Sequence, residues 1–320
     1  MAASCRDQYF TLIDGYPRRI LKHLIFSTMP TMRIAVSGPG AIGGLIAARL
    51  NDAGHDVSLF TRGAKRIGTL KVGRRRIKGW VRPSKNLDAV FLCVKAPAIN
   101  DAIKVIRPFV GPKTAVISLL NGVTHLGPVR RAFGRSRTVF GSCYIAAMRS
   151  NSGTIHHSGG EYILLAKSAT NKAALKTSLS LLSDWKIKTV NSEERLLWTK
   201  LVYNAAVNPL GALLDRTNGE LASDPALREL MRVILKEAVS ISTQAGFRPL
   251  HKDLEERIAR GCLAVPDQIN SMAQDLRAGR RTEADAILKP LLDAAKRQRR
   301  AATAIEPLYR IIKHLEGQSA

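Results

Sequence analysis

At 320 residues with 45% hydrophobic content, the chain can fill two cores, and no apolar run approaches the roughly 20 residues of a membrane span. Fifty Lys and Arg against 25 Asp and Glu leave a net charge of +25, carried in runs such as residues 74–78, 130–137 and 296–300. Aromatic residues make up only 5%, and no basic run is interleaved with them. This argues against nucleic acid as a partner and for a solvated basic surface that draws in small anions. The four cysteines (Cys5, Cys93, Cys143, Cys262) are scattered and form no CxxC pair, which fits a reduced, cytoplasmic protein without a metal site. His156 and His157 are adjacent on an expected strand, so their rings point to opposite faces and do not converge on a metal.

Residues 1–31 show little pattern and read as a flexible extension; Lys22 and His23 interrupt the apolar part that a signal peptide would need. Residues 32–191 read as a Rossmann-like α/β domain. Ile34, Ala35 and Val36 form a short buried strand, and Gly38-Pro39-Gly40-Ala41-Ile42-Gly43 follows as GxGxxG before a helix and a second strand. In this setting Gly38 permits the sharp turn and Gly40 lets backbone approach a pyrophosphate at the helix N-terminus. Gly43 allows close helix–strand packing, with Ala41 and Ile42 completing the loop. The second strand ends at Thr61-Arg62, where NAD sites usually carry an acidic residue for the ribose hydroxyl. A cation there, backed by Lys65 or Arg66, suits the 2′-phosphate of NADP. Two further buried strands, 89–94 and 115–120, end at Lys95 and at Asn121-Gly122. Gly38, Arg62, Lys95 and Asn121 should therefore share the carboxyl edge of one parallel sheet. Residues 152–166 alternate and carry glycines, which suggests an antiparallel addition closing the domain.

Residues 192–320 read as an all-helical domain. Ser192 caps a helix that is expected to stop before Pro209, and a long helix starts near Pro225 and ends at Gly246. Residues 266–279 give a third helix, and 282–300 a fourth, kinked at Pro290. Within the first of these, Lys200, Asn204 and Asn208 recur every four residues among apolar neighbours, forming one slanted polar stripe. The stripe is either solvated surface or the lining of a site. Glu283, behind a Thr282 cap, is either a first-turn carboxylate favoured by the helix dipole or part of that site.

These residues resemble the ketopantoate reductases, the 2-dehydropantoate 2-reductases, from Met32 to about Lys313. The segments carrying the likeness are GPGAIGG, CVKA, LLNGV, LWTKLVYNAAVNPLGAL and NSMAQDLRAGRRTEADAI. The resemblance implies NADPH-dependent reduction of 2-dehydropantoate to (R)-pantoate, on the route to pantothenate and coenzyme A. It makes Lys200 the catalytic lysine and Asn204 and Asn208 substrate amides. Ser271 then binds the substrate, Glu283 completes the site, Arg62 meets the NADP phosphate, and Lys95 and Asn121 face cofactor and substrate. One departure stands out: Leu288-Lys289-Pro290 follows TEADAI where the family usually has Asn-Gly, so an amide and a flexible glycine are missing. Two alternatives remain, a reductase of another branched 2-oxo acid and a non-catalytic NADP-binding regulator. A homodimer is compatible with the sequence, which fixes no oligomeric state.

Overall fold

The structure, a computed structural model, describes residues 30–61, 69–78, 86–150 and 152–318. The expected extension up to residue 29 and the cations Arg62, Lys65 and Arg66 lie outside the described residues. In chain order, β1 (Arg33–Ser37) leads into α1 (Ala41–Asp52) and β2 (Asp56–Phe60). A hairpin of β3 (Thr69–Val72) and β4 (Arg75–Lys78) follows, then β5 (Ala89–Leu92), α2 (Ile99–Ile106), β6 (Ala115–Ser118) and α3 (Leu126–Phe133). The long strands β7 (Thr138–Arg149) and β8 (Ile155–Ala166), then α4 (Lys172–Leu181) and β9 (Lys186–Val190), complete this half.

The sheet runs β2-β1-β5-β6-β7-β8-β3-β4, with β9 paired to β8. From β2 to β7 the pairing is parallel, and β8 returns antiparallel to β7 with irregular register near Tyr144 and Ala146. Alternating strand residues divide two apolar layers. Ile34 and Val36 face the layer of α1 and α4, while Ala35 faces that of α2 and α3. The parallel strands are short, buried on both sides and almost wholly apolar, as sheets covered by crossover helices require. The hairpin β3–β4 holds the basic run 74–78 and has no counterpart in the sequence reading.

The second half is helical: α5 (Glu193–Leu213), α6 (Asn218–Ser223), α7 (Pro225–Gln244), α8 (Leu254–Leu263), α9 (Ser271–Arg277), α10 (Ala284–Ile287), α11 (Lys289–Arg297) and α12 (Ile305–Gln318). Ser192 Oγ accepts the Arg195 N–H, so α5 starts where its cap dictates. It does not stop at Pro209. The missing N–H costs a single ladder bond, Pro209 is buried, and the ladder resumes with Leu214 N–H donating to the Leu210 carbonyl. Two other expected helices are shorter than the pattern implies. In 266–279 only Ser271–Arg277 is helical, because the Pro266 and Gln268 carbonyls are used by the Gly219 and Asn218 N–H groups of α6. The expected kink in 282–300 is a break: α10 ends, buried Leu288 intervenes, and Pro290 sits in the first turn of α11.

Candidate functional site

The carboxyl ends of β1, β5 and β6 lie side by side on the parallel sheet, and those of β5 and β6 meet the helical half. At the first, the glycine loop is tight where it meets protein and open where it does not. A Cβ on Gly38, whose φ is +87°, would lie 2.6 Å from Val94 N, and one on Gly43 would lie 2.3 Å from the Gly38 carbonyl oxygen. Gly40, at the N-cap of α1, has nothing within 4 Å of where its Cβ would be. A cradle closed behind and clear in front, at a 12-residue helix's positive end, fits a pyrophosphate-bearing cofactor. Ala41 and Ile42 form the first turn of that helix.

The end of β5 crosses the cleft. Lys95 Nζ donates to Asp275 Oδ2 at 2.6 Å and to the Arg281 carbonyl at 3.3 Å. Asp275 is buried on α9 and also accepts from Arg280 Nε at 3.1 Å. Next in the chain, Ala96 N–H donates to Glu283 Oε1 at 3.0 Å, while Asn121 Nδ2 donates to Glu283 Oε2 at 3.0 Å. Asn204 Nδ2 reaches Asn121 Oδ1 at 3.4 Å. Glu283 therefore does more than sit in a first turn: its carboxylate joins the ends of β5 and β6, and Asn121 passes the link on to Asn204 of α5. Burial raises its pKa, against the donors from Asn121 and Ala96 that favour the charged form. Thr282 Oγ1 accepts the Ala284 N–H, the expected cap.

The polar stripe is not solvated surface. Asn204 and Asn208 are 4% and 5% exposed, and Lys200 is half-buried. Asn208's amide has no side-chain hydrogen-bond partner among the described residues, nor does the Lys200 ammonium. Lys200 Nζ instead faces two rings, 4.1 Å from the Tyr144 centroid and 4.5 Å from that of Tyr203. Burial lowers its pKa to about 8, so the group keeps its proton at neutral pH yet can part with it readily. Cys143, beside it, is pushed up to about 12 by burial and stays a thiol.

Of the residues singled out from the sequence, Asn121, Asn204 and Glu283 are brought together in one bonded network, while Lys95, next in the chain to Ala96, bonds separately to Asp275. Ser271 is exposed at the first position of α9, behind the Asn270 cap. Asp275, Tyr144 and Tyr203 were missed. Tyr203 lies inside the stripe segment, one turn from Lys200, so its signal was in view; Tyr144 is brought close only by the tertiary fold. Among the described residues no helix is long and apolar enough to cross a membrane, and no three His, Cys, Asp or Glu gather as a metal site.

Comparison with known proteins agrees with this geometry. The family pattern "Ketopantoate reductase PanE/ApbA" matches residues 34–170, and its "C terminal" counterpart matches 194–316. The 2-dehydropantoate 2-reductase of Bacillus subtilis (strain 168) is 30% identical over 301 residues, covering 89% of this chain and 98% of its own. A D-mandelate dehydrogenase solved with NADH superposes with a TM-score of 0.80 at 21% identity, over 90% of this chain and all of that one. A dimeric ketopantoate reductase from Staphylococcus aureus gives 0.74 at 21%, over 90% and 100%. The chain thus belongs to the ketopantoate reductase family, and is an NADP-dependent oxidoreductase.

Proposed function

We propose that the protein reduces 2-dehydropantoate to (R)-pantoate with NADPH in the cytoplasm, serving pantothenate and coenzyme A synthesis. The observation that carries this reading is the Lys200 ammonium, half-buried against two tyrosine rings on the same helix stripe as the buried amides of Asn204 and Asn208, with no hydrogen-bond acceptor among the described residues. Gly38, Gly40, Ala41, Ile42 and Gly43 hold the pyrophosphate of the cofactor, with Lys95 and Asn121 contributing along the strand ends; Arg62, outside the described residues, is assigned to the 2′-phosphate by the sequence alone. NADPH, when bound, supplies the hydride that reaches the keto carbon. Lys200 donates the proton to the keto oxygen as negative charge grows there, and its depressed pKa matches that task. Asn204, Asn208 and Ser271 donate to the carboxylate and hydroxyl of the substrate without titrating. Glu283 fixes Asn121 and offers its remaining lone pairs to the substrate hydroxyl.

The test is NADPH oxidation by the purified protein with 2-dehydropantoate, alone and as Lys200→Ala. The variant should lose about 10²–10⁴ in kcat, the range for a general acid, while NADPH fluorescence still reports binding. Intact turnover in the variant would remove Lys200 from this role. A second reading keeps the chemistry and changes the substrate to another branched 2-oxo acid, favoured by the two aromatic rings beside Lys200. NADPH binding without turnover of any 2-oxo acid would favour a regulator instead.

A further inference from the structure

The rings that flank Lys200 come from different parts of the fold. Tyr144 lies on β7 beyond Phe140, the last β7 residue paired with β6, and so past the carboxyl edge of the parallel sheet. Tyr203 stands one turn after Lys200 on α5 and is braced by Cys262 of α8, whose Sγ lies 3.9 Å from its hydroxyl. The rings meet edge to face, with centroids 6.1 Å apart and planes at 89°. Both are half-buried and keep part of their surface open.

A keto oxygen that takes a proton from Lys200 must come within about 3 Å of Nζ, and its carbon lies only about 1.2 Å further on. With the ring centroids 4.1 and 4.5 Å from the same nitrogen, a keto oxygen approaching beside the rings would let one group attached to that carbon turn onto them. Ring faces present negative charge, so they repel a carboxylate and accept C–H bonds or another ring edge. The carboxylate is left to the unpartnered amide of Asn208 and its neighbour Asn204 on the same stripe.

We propose that Tyr144 and Tyr203 are specificity-determining residues: they form the wall that receives the substituent on the keto carbon, and they select 2-oxo acids whose substituent is bulky and apolar or aromatic. The proposal rests on Lys200 being the proton donor. A pyruvate-sized substrate leaves the ring corner unfilled and forfeits that contact.

The test compares kcat/KM for NADPH-dependent reduction of phenylglyoxylate, 3-methyl-2-oxobutanoate, 2-dehydropantoate and pyruvate by the full chain and by Tyr203→Phe, Tyr203→Ala and Tyr144→Ala. The wild type should favour the bulky acids over pyruvate by at least about 10-fold, which is about 1.4 kcal/mol of contact. That ratio should fall by about 10-fold in each alanine variant, chiefly through KM of the bulky acid, and by less than about 3-fold in Tyr203→Phe, which keeps the ring. Turnover with an unchanged ratio in both alanine variants, or an equal loss for bulky and small acids, overturns the ring assignment and leaves the reductase reading standing. Absence of turnover by the wild type with all four acids overturns both.

Discussion

The proton-donor role proposed for Lys200 depends on where it sits rather than on what it is. An ammonium in water holds its proton to above pH 10. Packed among Tyr144, Tyr203, Cys143 and Cys262 it titrates near 8, because burial penalises the charge. The sign of the resulting pH effect is fixed: the donor works protonated, so kcat/KM should hold below pH 8 and fall as pH rises through about 8. Initial rates from pH 6 to 10 at saturating NADPH check this, and a rate that climbs through pH 8 would exclude Lys200 as the acid. The stripe was legible as a question. Its four-residue spacing identified one helix face, but only the fold decides whether that face is wet, since α9 and β7 pack against α5 and leave Asn204 and Asn208 buried.

At the scale of elements, two contacts hold Glu283 in place. One is the close approach of the β6 turn to α10. Gly122 has φ +79°, and a Cβ on it would lie 2.4 Å from the Ala286 carbonyl oxygen. Gly122→Ala should push α10 away and pull Glu283 off Asn121, lowering kcat by at least about 10-fold with little loss of NADPH affinity; fluorescence titration beside steady-state rates separates the two. The other contact comes from α12. Glu316 accepts from both the Thr282 N–H at 2.9 Å and the Thr282 hydroxyl at 2.5 Å, and Lys313 Nζ approaches it at 2.5 Å. Glu316→Ala strands those donors and should cost about 1–3 kcal/mol in a urea melt, with a raised substrate KM. Glu316→Gln, which still accepts, should recover most of both. The helix pattern marked the start of α5 and the whole of α7 because each carries its own N-cap, but it ended α5 before Pro209, which the helix passes. The same pattern overran α9, α10 and α11; before α9 the backbone is spent on neighbours that no local pattern reveals, the Pro266 carbonyl on Gly219 and the Gln268 carbonyl on Asn218.

Over the whole molecule, the α/β half was legible because its parallel strands are buried runs ending in polar residues, while the short β3–β4 hairpin, rich in arginine, reads as surface charge. What no stretch of sequence shows is that the two halves are tied across their cleft. Lys95 grips Asp275, and Glu283 takes both the Ala96 N–H and the Asn121 amide. All of these bonds join the strand ends of the first half to the second half, beside the proposed substrate site. Chemistry and departure are then separate events with separate clocks. Rapid mixing of enzyme, NADPH and 2-oxo acid should give a burst of NADPH oxidation in the first turnover, followed by a slower steady rate set by reopening. Asp275→Asn, which weakens the Lys95 grip, should raise the steady rate toward the burst. A trace with no burst would mean that hydride transfer is the slow step and that the cleft opens freely.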